Sequence, residues 1–210
     1  YYIKSGDAHN ILVIGADILS RISDPHDRDS MIYADGAGAT LLTSQKSTTP
    51  TGILAHKTRS DTLEHSEMLF MGDSYLPENG TKEGVYLKMY GRKLYQYALN
   101  HVPGAIRACL HKSGIPLSEI KKVLIHQANG KMDDAILNRL YKLEDDLSVP
   151  VDVMPMTISW LGNSSVATVP TLLDLILKNE LDGHQIEKGD KIIFASVGAG
   201  MNINAMVYQA

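Results

Sequence analysis

Three short apolar runs constrain the fold of this chain most, because each leads directly into a glycine or a histidine. Residues 11–16 are Ile-Leu-Val-Ile-Gly-Ala, residues 122–125 precede His126, and residues 191–195 precede a glycine loop. Such runs are typical of strands, and the first suits a strand buried on both faces. Helical patterns alternate with these runs, which predicts an α/β fold.

The remaining elements follow from apolar spacing and from capping residues. Residues 1–6 look like a helix end that Gly6 caps, and residues 34–42 look like a glycine turn that leads into a strand. Residues 44–84 are rich in serine, threonine and glycine, which indicates loops and short strands with a turn at 77–80. Further helices are predicted at 87–112, 131–142 and from 162 to about 181, and further strands at 149–154 and 202–208.

Composition excludes several classes of protein. A net charge of -4 over 210 residues argues against the broad basic surface of a nucleic-acid binder. The chain has no apolar run of the roughly 20 residues that a membrane-spanning helix needs. Cys109 is the single cysteine, so neither an internal disulfide framework nor a site of several thiolates can form.

Three segments carry polar or glycine groups to the ends of predicted strands or to the start of a helix. They are His-Gln-Ala-Asn at 126–129, Gly-Asn-Ser-Ser at 162–165 and Val-Gly-Ala-Gly at 197–200. Sites of α/β proteins gather at such strand ends. A histidine, an amide and free backbone N–H groups together can hold a carbonyl oxygen that gains negative charge. Each segment also has a structural interpretation, as a core histidine, a helix N-cap or a tight turn.

Five segments together resemble β-ketoacyl-acyl carrier protein synthase III, a condensing enzyme. Besides the three above, they include the acidic loop at 24–28 with Ala-Asp-Gly-Ala-Gly-Ala at 34–39, and Leu-Lys-Met-Tyr-Gly-Arg at 87–92. The resemblance implies an α/β, thiolase-like fold, of which this chain has the second half-domain plus the end of the first. The implied divisions are residues 1–42 for the end of the first half, 43–84 for connecting loops or an insertion, and 85–210 for the second half.

The resemblance also implies catalytic roles. His126 and Asn163 match the positions that hydrogen-bond a malonyl thioester carbonyl and stabilise the enolate. The backbone N–H of Ala199 matches an oxyanion-hole donor. The nucleophilic cysteine of the family would fall before residue 1, so we expect the 210-residue chain alone not to condense anything. Cys109 lies inside a predicted helix, and we interpret it as a small buried hydrophobic residue.

Binding roles follow in the same way. Arg28, Gly91, Arg92 and Asn129 match positions that bind coenzyme A or substrate, and Lys131 matches a basic position that docks the acidic carrier protein. For Arg28 an ion pair with a neighbouring aspartate is the alternative, and for Lys131 an ordinary exposed lysine. The implied partners are acyl-CoA and malonyl-acyl carrier protein, with no cofactor, metal, nucleic acid or membrane. The implied protein is cytoplasmic and a homodimer.

Two alternatives remain open. One is a related enzyme, similar to type III polyketide synthases or to hydroxymethylglutaryl-CoA synthase. The other is a non-catalytic partner subunit built on half of a condensing enzyme. The closing loop departs from the family pattern, since Val197 precedes its glycines and Met-Asn-Ile-Asn follows them at 201–204. Primer size therefore does not follow from the sequence.

Overall fold

The computed structural model describes residues 1–76, 84–144 and 147–210. Within these ranges the strands form a four-stranded sheet of order β3-β8-β7-β6 and two antiparallel pairs, β1 with β2 and β4 with β5. The strands are β1 (Asn10–Ile18), β2 (Asp35–Thr43), β3 (Gly52–Ser60), β4 (Leu69–Gly72), β5 (Tyr86–Met89), β6 (Ile120–Ile125), β7 (Lys191–Gly198) and β8 (Asn202–Gln209). The helices are α1 (Tyr2–Ser5), α2 (Thr62–His65), α3 (Gly91–Ser113), α4 (Gly130–Leu143), α5 (Ile158–Leu161) and α6 (Thr168–Leu177).

The four-stranded sheet is covered on both faces. Ile193 of β7 belongs to the core that contains α3 and α4, whereas its neighbour Ile192 packs with Leu172 and Ile176 of α6. Successive side chains of a strand point to opposite faces, so the two helical layers lie on opposite sides of the sheet. The predicted α/β fold and the buried apolar runs at 122–125 and 191–195 are confirmed.

The prediction that the run at 11–16 is buried on both faces is wrong. β1 forms as expected, but Leu12, Val13 and Ile14 are 57%, 51% and 65% exposed. The reason is topological, because β1 pairs with β2 alone among the described strands. Successive side chains of a strand point to opposite faces, so apolar side chains are exposed on both faces of the hairpin at Leu12, Val13 and Ile14.

The strand predicted within residues 34–42 is confirmed as β2, but the glycine turn before it is wrong, because β2 begins at Asp35 and its glycines serve close packing. A Cβ at Gly36 would lie 2.8 Å from the Cβ of Ser164, and a Cβ at Gly38 would lie 2.6 Å from Cγ of Pro170. Glycine therefore lets the segment that precedes α6 lie directly on the hairpin. This contact fixes the position of the Gly-Asn-Ser-Ser segment.

Other boundaries differ locally. Residues 86–89 form β5, so the long helix begins at Gly91 rather than Leu87, and it ends at the left-handed Gly114 as predicted. Residues 149–154 form no strand, although Val153 accepts a backbone hydrogen bond from Val123. The helix predicted from residue 162 spans only Thr168–Leu177. Gly162 is not helical, and residues 165–167 form a separate 3₁₀ turn before the helix begins.

Residues 44–84 contain more regular structure than predicted. β3 is nine residues long and pairs with β8. Part of this segment is therefore an edge strand of the four-stranded sheet and not a loop. The predicted turn at 77–80 lies outside the described residues, and the three predicted domain divisions stay predictions. Among the described residues, no helix combines the length and apolarity needed to cross a membrane.

Candidate active site

One cavity of about 1130 Å³ is lined by residues of the β1–β2 hairpin and its connecting loop and by residues of the four-stranded sheet and its helices. Seven of the eight predicted site residues line it, and Lys131 does not. The sheet explains part of this convergence, since β6 and β7 are parallel and their carboxyl ends meet at one edge. The seven are Arg28, Gly91, Arg92, His126, Asn129, Asn163 and Ala199.

His126 follows β6 directly and is fixed by its backbone. Its N–H donates to the carbonyl of Ala195 on β7 at 2.9 Å. Burial lowers the pKa of the imidazole to about 4, and a backbone hydrogen bond with Ser165 offsets this only in part. The ring is therefore neutral near pH 7, with one N–H group and one bare nitrogen, and its hydrogen bonds decide which nitrogen holds the proton.

Asn163 is almost fully buried, and its amide is oriented by the next loop residues. Its Oδ1 accepts a hydrogen bond of 2.9 Å from the backbone N–H of Ser165. Because the oxygen has this partner, the Nδ2 group is the one available to a ligand carbonyl. The main chain of Asn163 is fixed as well, since its N–H donates to Ile32 and its carbonyl accepts from Ala34.

Ser165 connects the two predicted catalytic side chains. Its backbone N–H binds Asn163 and its backbone also hydrogen-bonds His126. Its φ of 55° is unusual for a residue other than glycine and carries strain. The preceding Gly162 has a φ of 67°, and a Cβ there would lie 3.1 Å from the carbonyl oxygen of Ile32. The segment at 162–165 therefore keeps a strained backbone conformation, and this conformation fixes the position of the Asn163 side chain.

Ala199 opens the 3₁₀ turn that follows β7. The first N–H group of a helical turn has no acceptor within the turn itself, so this donor is not used by the local helical pattern. The position at the cavity wall agrees with the predicted oxyanion-hole donor, and that role stays a prediction.

The acidic loop beside Arg28 is organised by a buried lysine that sequence reasoning missed. Lys88 forms an ion pair with the fully buried Asp24, and its Nζ lies 3.4 Å from Asp27. Burial raises the pKa of Asp24, but hydrogen bonds from Lys88 and from Tyr75 outweigh it, so the net pKa falls well below the usual range. The one sequence signal for this ion pair is that Lys88 lies between apolar residues of a strand, where a charged side chain needs a partner.

Arg28 itself is exposed at the cavity wall and forms no ion pair with the described residues. Asp24 and Asp27, two of its expected partners, bind Lys88 instead. Arg92 is likewise exposed at the wall, beside Gly91 at the start of α3. The cavity entrance thus carries two guanidinium groups, and their binding roles stay predictions.

Two residues of the His-Gln-Ala-Asn segment are structural. Gln127 is fully buried, donates to the carbonyl of Pro155 at 2.9 Å, and accepts from the N–H groups of Thr157 and Ile158 at 2.7 and 2.9 Å. Asn129 caps α4, and its Oδ1 accepts from the N–H of Lys131 at 3.1 Å. The cap uses the side-chain oxygen of Asn129, which leaves its Nδ2 group for a ligand. The predicted binding role of Asn129 stays a prediction.

Lys131 and Cys109 complete the predicted set. Lys131 is exposed in the first turn of α4, outside the cavity wall, and its docking role stays a prediction. Cys109 is 1% exposed within α3, and burial raises the pKa of its thiol. A thiol in that state is a poor nucleophile, so this cysteine packs as a hydrophobic residue.

Solved structures first define the class of protein as a thiolase-like condensing-enzyme fold. A 3-oxoacyl-[acyl-carrier-protein] synthase III from Aquifex aeolicus is 30% identical, with a TM-score of 0.80 over 100% of this chain and 60% of its own. A β-ketoacyl-[acyl carrier protein] synthase III from Thermus thermophilus is 25% identical, with a TM-score of 0.83 over 100% of this chain and 61% of its own.

The sequence then gives the family. The family described as 3-Oxoacyl-[acyl-carrier-protein (ACP)] synthase III matches residues 1–62, and the family of its C-terminal part matches residues 110–210. A β-ketoacyl-[acyl-carrier-protein] synthase III from Acaryochloris marina is 33% identical over 99% of this chain and 60% of its own length. The chain belongs to the 3-oxoacyl-[acyl-carrier-protein] synthase III family, and it spans about three fifths of the length of these relatives.

Proposed function

We propose that this chain is the histidine- and asparagine-bearing portion of a β-ketoacyl-[acyl-carrier-protein] synthase III. The complete protein would condense an acyl group from acyl-CoA with malonyl-acyl carrier protein in fatty acid biosynthesis. One observation carries the proposal. His126 and Asn163 line the same cavity, are connected through Ser165, and are both uncharged near pH 7.

The proposed chemistry uses the N–H groups of these two side chains at the stage of decarboxylation. The bond between the α-carbon and the carboxylate of the malonyl thioester breaks, carbon dioxide leaves, and the electron pair becomes an enolate. His126 and Asn163 donate to the thioester oxygen, where the negative charge grows. Donors that are fixed in advance in a site of low polarity stabilise such charge more than water does. A carboxylate at position 163 would repel it.

The acyl-transfer stage needs a thiolate, which we propose lies outside these 210 residues. The buried Cys109 cannot replace it, for the reasons of burial and pKa given above. The N–H of Ala199 would then bind the oxyanion formed on the acyl thioester. We propose no resident cofactor, since side chains and backbone donors suffice for both stages.

The expected partners follow from surface chemistry. The guanidinium groups of Arg28 and Arg92 suit the phosphates and adenine of coenzyme A. Lys131 would attract an acidic carrier protein. The exposed apolar strands of the hairpin favour a further covering layer. We also propose that the complete protein is a cytoplasmic homodimer.

The test separates the enolate stage from condensation, and it uses the 210-residue chain as it stands. We expect the chain to convert malonyl-CoA to acetyl-CoA and carbon dioxide slowly, measured by liquid chromatography with mass detection. Asn163→Asp should reduce the rate by a factor of roughly 100, as loss of one oxyanion donor does. The control Asn138→Asp alters an exposed residue of α4 that hydrogen-bonds its own helix.

The outcomes differ clearly. A rate that depends on Asn163 and not on Asn138 supports the proposal. No decarboxylation above the buffer rate, or equal rates for both variants, would contradict it. Condensation by the isolated chain would contradict the proposed location of the nucleophile.

A further inference from the structure

The turn that carries Ala199 has a strained backbone that nothing in its own sequence stabilises. Gly200 has a φ of 72°, and the next residue, Met201, has a φ of 51°. A left-handed conformation is costly for a residue other than glycine. Met201 is also fully buried, so the strain is not relieved by solvent. Contacts from elsewhere must hold this turn.

All three carbonyl oxygens of the turn have donors. The first, that of Ala199, accepts from Nδ2 of Asn202 at 2.9 Å. The second accepts from Oγ1 of Thr62 at 2.7 Å, and the third accepts from the N–H of Asp61 at 3.2 Å. Each peptide unit is planar and trans, so these carbonyls fix the N–H groups of the residues that follow them, Gly200, Met201 and Asn202. The N–H of Ala199 belongs to the preceding unit, with the carbonyl of Gly198, and is therefore held only through the backbone of the turn that begins there.

Tyr97 of α3 strengthens the third of these contacts. Its hydroxyl lies 2.7 Å from Oδ2 of Asp61 and 3.1 Å from the carbonyl oxygen of Met201, so it can donate to either. Arg59 donates to the same carboxylate oxygen at 2.7 Å. Burial, with the Asp61 carboxylate as a second cause, raises the pKa of Tyr97 to about 12. The hydroxyl therefore stays a proton donor throughout the neutral range.

We propose that Asp61, Thr62 and Tyr97 are positioning residues for the oxyanion-hole turn, and we name them the turn anchor. They keep the backbone N–H of Ala199 available at the cavity wall. If the turn is released, the peptide unit between Gly198 and Ala199 is free to rotate, and its Gly198 carbonyl oxygen would then point where the donor is needed and would repel the developing negative charge. This inference rests on the proposed function, since it assigns the anchor to the same acyl-transfer site.

Two conservative substitutions remove anchor hydroxyls, and each has a matched control. Thr62→Val is compared with Thr51→Val, whose hydroxyl lies 3.5 Å from a carbonyl of β8 at the far end of that strand. Tyr97→Phe is compared with Tyr141→Phe, whose buried hydroxyl has no hydrogen-bond partner among the described residues. Amide hydrogen exchange of residues 198–203 is followed by mass spectrometry. Loss of one hydrogen bond should speed exchange there about ten-fold, and the controls should match the wild type.

A spectroscopic measurement tests the role at the site itself. In the wild type, acetyl-CoA should move the amide proton resonance of Ala199 downfield as its carbonyl accepts from that N–H. In Thr62→Val and Tyr97→Phe this shift should fall by half or more, while shifts at Arg28 persist. A purely structural role would leave the Ala199 shift unchanged.

The outcomes separate the two proposals. Wild-type exchange rates at 198–203 in both anchor variants, or faster exchange with an unchanged Ala199 shift, would overturn the turn anchor. If acetyl-CoA moves no cavity resonance in the wild type, the proposed function fails, and the exchange rates alone then decide whether the anchor holds the turn.

Discussion

Asp133 offers the sharpest test of the electrostatics, because its carboxylate is buried and only the backbone of Asn129 offsets the cost of burial, and only in part. The side chain is fully buried in the first turn of α4, and neither oxygen has a hydrogen-bond partner among the described residues. Burial, with the charge of Asp134 as a second cause, raises the pKa of Asp133 from 3.8 to about 8. The folded state therefore favours the protonated carboxyl.

The sign of the pH effect follows from this shift. The unfolded chain releases the proton near pH 4, whereas the folded chain holds it until about pH 8, so folding takes up a proton between these values. Stability should fall as pH rises through that window. Each pH unit costs about 1.4 kcal/mol, so the loss reaches roughly 4 kcal/mol at pH 7.

The perturbation is Asp133→Asn, which keeps the shape and removes the titration. The assay is urea unfolding followed by circular dichroism from pH 5 to pH 8. We expect the variant to gain stability over the wild type as pH rises, by several kcal/mol at pH 8. The difference between the two proteins is the relevant quantity, because His126, with its pKa lowered from 6.5 to about 4, opposes the slope of the wild type below pH 6.5.

The control Asp134→Asn alters the exposed neighbour. It should stabilise only slightly, through a lower pKa of Asp133, since it removes the second cause of the shift and not the first. Equal stability of Asp133→Asn and wild type at pH 8, or a variant that is less stable there, would refute the assignment of a buried, unpaired carboxyl.

Three further predictions concern other parts of the molecule. Lys88→Met leaves Asp24 buried without its cation and should lower the free energy of unfolding by about 3–5 kcal/mol, and a loss below about 1 kcal/mol would contradict the buried pair. The imidazole of His126 should titrate near pH 4 in NMR spectra, and a midpoint near 6.5 would contradict its dry environment. Lys131→Glu should weaken carrier-protein binding in a salt-dependent way, with the exposed Lys121→Glu as control, and equal affinities would exclude the docking role.

The sequence predicts the sheet well where apolar runs are covered on both faces. The runs at 122–125 and 191–195 fall on β6 and β7 because a buried strand needs nothing but apolar side chains. The same reasoning misjudges residues 11–16, because a run of apolar residues specifies a strand but not the layers that pack on it. Burial depends on which other segments are present.

Glycine is ambiguous for a related reason. Gly36 and Gly38 suggest a turn, yet both lie within β2, where they make room for Ser164 and Pro170. A sequence shows that a side chain is absent, but it does not show whether the backbone bends or another segment approaches. Only the packing partner decides between these uses.

The site itself was predictable to the extent that its chemistry restricts the choice of residue. The enolate of the proposed function needs strong neutral donors, which limits the wall to side chains such as those proposed here, His126 and Asn163, and to free backbone N–H groups. The residues that hold those donors face no such restriction. Gln127, Thr62 and Tyr97 need only a hydrogen bond in the right direction, and many side chains supply one. Their positions depend on contacts between distant segments, and sequence spacing carries no signal for these.

The difference between donor residues and the residues that hold them determines which positions of the site tolerate substitution. A change of donor type at Asn163 alters the charge that meets the enolate, so its cost falls on the chemical step. A change at Thr62 leaves every donor in place and alters only how firmly the Ala199 turn is held, so its cost falls on the population of competent turns. The first effect cannot be compensated elsewhere, whereas the second can be offset by any new donor to the same carbonyl. Sequence patterns therefore point to the donors, whereas the anchors of the turn are found only from the contacts in the structure.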